Sequence, residues 1–180
     1  MSRAARWWVA GAVVLILGAG LLVASVGGSG SPQAARVNSG EAGSGTEVAA
    51  LTLDSLEGKR LDVPSGRPGA LFFTVSSCVS CIPSARALGE LKAKLGDRAD
   101  VVWVGIDPSD PPDAVRARRK SLGDPAYPFA IDGGGTLAGR YGVTALGTTV
   151  VYNAEGRIVA RLIEPNKEQL ASAFKQAGAS

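Results

Sequence analysis

The hydropathy of the chain changes character three times. Residues 7–26 run for twenty positions without a charge, long enough as a helix to cover about 30 Å, the thickness of a bilayer core. Residues 27–47 then lose both apolar content and periodicity and are rich in Gly and Ser, the composition of a flexible tether. Beyond them short apolar runs alternate with amphipathic stretches. Residues 70–75 and 101–106 are apolar without alternation and rich in β-branched and aromatic residues, which predicts strands buried on both faces. Between them the spacing of Ala85, Leu88, Leu91 and Leu95 predicts a helix starting at Ile82.

The remaining pattern fills in an α/β domain. Residues 48–53 and 59–63 flank Asp54-Ser55-Leu56-Glu57-Gly58, a hairpin signal. Pro111 or Pro112 opens a helix carrying Ala114, Val115 and Leu122. A short strand is expected at 129–131, then a short helix at 136–141 after the Gly133-Gly134-Gly135 break. Residues 148–152 and 157–163 are β-rich and joined by Asn153-Ala154-Glu155-Gly156, a hairpin turn. Asn166 caps a closing helix that ends near Ala177. The expected organisation is a membrane anchor or signal sequence at 1–26, a linker at 27–47 and one α/β domain at 48–180, with a strand–helix–strand core.

Charge sets the orientation of the anchor. Arg3 and Arg6 precede the uncharged run, so the arginines are expected inside and the domain outside. Val23-Ala24-Ser25 partly matches a small-residue cleavage signal, which leaves a cleaved, secreted form as the alternative. The tether's root-mean-square reach is roughly 25 Å, which keeps the domain near the membrane. The net charge of +3 does not suggest nucleic acid as a partner. The densest basic run, Arg116, Arg118, Arg119 and Lys120, reads as a solvated helix face.

The chemistry lies where the 70–75 strand hands over to the helix, at Cys78-Val79-Ser80-Cys81. A thiolate near a helix N-terminus is stabilised by unpaired backbone N–H groups and the helix dipole. These are the only two cysteines. As a structural staple they would close a four-residue loop, worth roughly 2 kcal/mol by chain entropy, poor use of a disulfide in a chain this long. As a metal site they lack partners, since the chain has no His and no further Cys. Redox or thiol transfer is the favoured chemistry. Gly133-Gly134-Gly135 has no following Gly-Lys-Ser/Thr and reads as a turn. Asp107 and Asp110, beside Pro108, read as turn chemistry, and Trp103 as core.

Three stretches carry a family resemblance: Leu71-Phe72-Phe73 leading into Cys78-Val79-Ser80-Cys81; Val102-Trp103-Val104-Gly105-Ile106-Asp107-Pro108; and Tyr141-Gly142-Val143 followed by 148–158. With them the chain resembles the thioredoxin-like superfamily, in particular membrane-anchored, extracytoplasmic TlpA/ResA-type thiol–disulfide oxidoreductases with Sco-like features. The resemblance implies a central mixed sheet flanked by helices, Cys78 as the exposed nucleophile and Cys81 as the resolving thiol. It further implies that Leu146, Gly147 and Thr148 form a loop facing the cysteines and binding substrate. The chain departs from the family where Gly147 replaces the usual cis-proline, where Phe72 replaces a buried acid, and where no carboxylate stands near Ser84. A trans Leu146–Gly147 bond is expected, since a cis bond before a residue other than proline costs about 2.5–4 kcal/mol, together with a mobile loop that Gly147→Pro would tighten into a faster enzyme.

The leading functional expectation is disulfide exchange with protein substrates and a redox partner, without a cofactor. The alternatives are a Sco-like Cu(I) chaperone, with thiolates as soft ligands, and a degenerate thioredoxin-like binding module. The Sco copper site as that family builds it needs a histidine that this chain lacks.

Overall fold

An apolar strand needs partners on both edges and cover on both faces, and the chain supplies them in order. The structure, a computed structural model, describes residue 47 and residues 50–180. The expected anchor at 1–26 and nearly all of the 27–47 tether lie outside the described residues, although Glu47 already bridges to Arg157. Strands β1 (Leu51–Asp54) and β2 (Arg60–Val63) pair antiparallel as a separate hairpin. Strand β3 (Gly69–Thr74) leads into helix α1 (Ile82–Leu95), a 3-10 turn at Gly96–Arg98 and strand β4 (Asp100–Gly105). Then follow α2 (Pro112–Ser121), β5 (Phe129–Ile131), α3 (Thr136–Arg140), β6 (Thr148–Tyr152), β7 (Ile158–Ile163) and α4 (Lys167–Gln176).

Five strands form one mixed sheet in the order β5-β4-β3-β6-β7. Strands β3, β4 and β5 are parallel, with Phe72 opposite Trp103 and Trp103 opposite Phe129. Strand β6 runs antiparallel to β3, and β7 antiparallel to β6. Every residue of β3 and β6 is buried, as expected of central strands covered on both faces, with Thr74, Thr148 and Thr149 as their buried polar members. The period of two then splits the core. Phe72, Trp103 and Phe129 face α1, α2 and α4 through Leu88, Val115, Leu170 and Phe174. Leu71, Phe73, Val104 and Tyr152 face the β1–β2 hairpin and α3 through Leu53, Leu61, Leu137 and Tyr141. This is the thioredoxin-like α/β arrangement.

Helix α4 begins as its sequence demands, with Asn166 and Gln169 forming a reciprocal capping box. Helix α2 departs from expectation, because its basic run is not one solvated face. Arg116 pairs with Asp113 at the surface, but Arg119 pairs with Glu57 and lies 5.6 Å from the centre of the Phe129 ring. Arg118 turns inward as well, toward the loop that carries the cysteines. The spacing of this helix, with Val115 fully buried, swings those two guanidiniums over the sheet edge rather than into solvent.

Candidate active site

Parallel strands gather their following loops at one end of a sheet, outside their carboxyl termini, and β3 lies where the order of connection reverses. The Thr74 carbonyl still accepts the Ile106 N–H at 2.9 Å, holding β3 to the segment after β4. The chain then leaves the sheet, and Cys78 N–H turns back to the Val75 carbonyl at 3.2 Å. Cys81 is the N-cap of α1 and its carbonyl accepts Ala85 N–H at 3.0 Å. Cys78 and Cys81 are joined in a disulfide with Cα atoms 5.5 Å apart. Cys78 is partly exposed, whereas Cys81 is 3% exposed. Only the first sulfur is presented to a partner.

The loop ahead of Cys78 is clamped from α2 and its approach. Ser76 donates its N–H to Asp110 Oδ2 at 2.6 Å and its hydroxyl to the other carboxylate oxygen. Arg118 Nε donates to the Ser76 carbonyl at 2.7 Å. Asp110 is therefore more than the turn residue the sequence suggested. Asp107 is that residue: it accepts from the Ser109 N–H and hydroxyl, and those donors hold its carboxyl below the usual range. Beneath the disulfide lies a cleft of about 10 Å³, room for one water at most. Phe72, Ala85 and Trp103 wall it, Arg118 is its one charged group, and no carboxylate reaches it.

The expected substrate loop does face the cysteines, but its three residues differ in what they offer. Leu146 is 39% exposed. Gly147 and Thr148 are buried, and the Thr148 hydroxyl donates to the Ala145 carbonyl at 2.7 Å. The Leu146–Gly147 bond is trans, the single cis peptide among the described residues being Val63–Pro64. The expectation of a loose loop is corrected by the hydrogen bonds. Gly147 N–H donates to the Phe73 carbonyl at 2.9 Å, and its own carbonyl accepts Glu164 N–H at 2.9 Å. Its φ of 75° lies where proline, fixed near −65°, cannot go. A proline there loses the bond to Phe73 as well, so the idea that Gly147→Pro tightens the site is overturned.

Glu164 is the residue the sequence did not reveal. It follows β7 and is not among the residues that line the cleft. One of its carboxylate oxygens and the two cysteine sulfurs lie within 4.8 Å of one another. With the sulfurs bonded to each other this is no metal site; after reduction it becomes two thiols and one carboxylate. Ser84, where the family resemblance suggested an acid, is buried and donates to the Pro165 carbonyl at 2.9 Å, fixing the segment that carries Glu164. No spacing signal in the sequence joins 164 to 78 and 81; the contact is tertiary.

Among the described residues the exposed large hydrophobic side chains are Val79, Leu146 and Ile163, at 72%, 39% and 63%. Each is the chain neighbour of a site residue: Val79 of Cys78, Leu146 of Gly147, Ile163 of Glu164.

Residues 43–178 match the Redoxin family. A Streptomyces lividans protein named mercury resistance operon ORF3 is 34% identical over 143 residues, covering 77% of this chain and 76% of that one. The thiol-disulfide oxidoreductase ResA of Bacillus cereus is 30% identical over 129 residues, covering 70% and 73%. Among solved structures, StoA from Bacillus subtilis superposes with a TM-score of 0.61 at 23% identity, covering 71% of this chain and 96% of that one. The DsbF structure from MTB, in mixed oxidized and reduced forms, gives 0.63 at 18%, covering 71% and 94%.

Proposed function

The chain belongs to the redoxin family and is a thiol–disulfide oxidoreductase; from that premise we propose that it exchanges disulfides with protein partners outside the cytoplasm. Cys78 is the nucleophile and Cys81 the resolving thiol. In the reducing direction the Cys78 thiolate attacks a partner's disulfide, forming a mixed disulfide and releasing one partner thiolate. Cys81 then attacks Cys78 Sγ, the bond to the partner breaks, and the second partner thiolate leaves. The partner gains two electrons and two protons, and the enzyme ends as the disulfide. Run backwards, the cycle oxidises a partner dithiol.

The observation that carries this reading is that the exposed large apolar side chains among the described residues, Val79, Leu146 and Ile163, are each the chain neighbour of a site residue. A small thiol has no use for such a rim, whereas an extended polypeptide buries side chains against it. Of the proposed substrate loop, Leu146 supplies side-chain contact. Gly147 and Thr148 shape the floor. The Cys81→Ser protein should hold partners as mixed disulfides on Cys78, and Cys78→Ser should hold none. Trapping on Cys81 alone reverses the assignment.

The location rests on the sequence of residues 1–26, where Arg3 and Arg6 precede an uncharged span. We place the 48–180 domain outside a membrane on an uncleaved anchor, or free of it after cleavage. Protease added to intact protoplasts is expected to remove the domain, and protection would sink the idea.

A second reading is favoured by the placement of Glu164. The reduced pair plus that carboxylate makes a donor set for a thiophilic ion such as Cu(I), and one relative is named for a mercury resistance operon. Metal stoichiometry of the reduced protein, set beside its rate of insulin disulfide reduction, separates the two readings.

A further inference from the structure

Cys81 presents a chemical difficulty that Cys78 does not. Its sulfur must lose a proton before it can resolve a mixed disulfide, yet it is 3% exposed and burial in apolar surroundings favours the neutral thiol. The cleft beneath it is lined by no carboxylate or other base, and the cationic Arg118 is the one charged residue among its neighbours. Glu164, which is not part of that lining, has a carboxylate oxygen within 4.8 Å of the sulfur, inside the reach of one bridging water.

Glu164 is held there rather than left to wander. Its φ is 45°, a left-handed conformation that a glutamate adopts at a cost. The Glu164 N–H is tied to the Gly147 carbonyl at 2.9 Å, and the next residue, Pro165, receives the buried Ser84 hydroxyl at 2.9 Å. Gly147 supplies the room. A Cβ at that position would stand 2.7 Å from Glu164 Cγ and 3.5 Å from Cys81 Sγ, so the missing side chain is the space through which the glutamate reaches the sulfur. A strained backbone, a pinned segment and a glycine opposite converge on one carboxylate.

We propose that Glu164 is the proton acceptor for Cys81, a catalytic residue of the resolving step, and that Gly147 is glycine in order to admit it. This rests on the oxidoreductase reading above. In the mixed disulfide the Cys81 S–H gives its proton to the Glu164 carboxylate, directly or through one water. The Cys81 thiolate then forms its bond to Cys78 Sγ as the bond from Cys78 to the partner breaks. The departing partner thiolate takes up a proton, supplied by the carboxylic acid or by solvent, to which the exposed Glu164 is open. In the opposite direction the acid returns its proton to Cys81.

The test separates this role from a purely electrostatic one, because the signs are opposite. A carboxylate that merely sits beside the sulfurs raises their pKa, so removing its charge speeds thiolate formation. A carboxylate that accepts the proton slows the step when removed. The full-length protein is loaded at Cys78 with a thionitrobenzoate adduct, and release of thionitrobenzoate is followed in a single turnover from pH 5 to 9. Glu164→Gln is expected to slow release about tenfold or more at neutral pH, with the deficit shrinking as hydroxide takes over. Attack by Cys78, measured in a Cys81→Ser background with and without Glu164→Gln, is expected to be no slower without the carboxylate, because losing a negative charge beside the sulfur favours its thiolate. Glu164→Gly, which relieves the backbone, should show the same slow release in a protein at least as stable. Release at the unsubstituted rate, faster release, or equal slowing of both steps overturns the proposal. An unsubstituted protein whose adduct never resolves overturns the oxidoreductase reading along with it.

Discussion

Cys78 and Cys81 differ in one respect that governs their use: one sulfur meets solvent and the other does not. In the reduced protein Cys78 is therefore expected to be alkylated first, and mass mapping after a short exposure to iodoacetamide reads this directly; modification of Cys81 first contradicts it. At Gly147 the prediction concerns stability. Gly147→Pro removes the N–H that donates to Phe73 O and demands a φ the loop does not have, so it should cost about 2 kcal/mol or more. Urea titration of the two proteins checks this, and equal stability refutes it. The cysteines were legible because their chemistry is written in adjacent residues at a strand–helix junction. Glu164 was not, because nothing local in Ile163-Glu164-Pro165 tells which surface the carboxylate will meet. The departure at Gly147 was visible, but its meaning needed the opposing residue.

Elements were readable where hydrophobic period and punctuation agreed. The helix from Ile82 to Leu95, the strand at 129–131 and the strand at 148–152 fall where the periodicity and the flanking glycines and prolines put them. Function at this scale lies in the joints between elements, which sequence pattern does not record. Asp110 in the loop before α2 and Arg118 within it fix the backbone at Ser76, two residues before the nucleophile. A charge-assisted bond to a partly buried backbone group contributes about 1.5–3 kcal/mol. Asp110→Ala is thus expected to lower stability by that order and to slow attack by Cys78, whose approach angle the loop sets. Unchanged attack kinetics in a destabilised protein would show that the clamp serves folding alone. The half-inward basic run of α2 belongs to the same lesson. Arg118 and Arg119 look like solvated charges in sequence and become tethers only when the sheet edge is placed beside them.

At the scale of the molecule, the sheet carries the core and the site occupies one of its ends. The two faces of β3 are sealed by different sets of elements, Phe72 beneath α1, α2 and α4 and Phe73 beneath the hairpin and α3. Cys81 is one member of the Phe72 cluster and Cys78 packs against it, but the bond between them spans only three positions in sequence. Chain entropy assigns such a short loop about 2 kcal/mol, well below the total of about 5–15 kcal/mol typical of a domain. The fold should thus survive in both redox states, as a reversible carrier of electrons requires and a structural staple does not.

The most direct test is redox equilibration of the full-length protein against graded ratios of reduced to oxidised glutathione or dithiothreitol. Alkylation and mass measurement give the fraction of Cys78–Cys81 disulfide, with far-UV circular dichroism recorded on the same samples. The expected result is one reversible two-electron transition, coincident in both directions, with an unchanged dichroism spectrum from end to end. A pair that reduces only as the protein unfolds, or that fails to re-form when the ratio is reversed, would contradict the assignment of Cys78 and Cys81 as a redox centre.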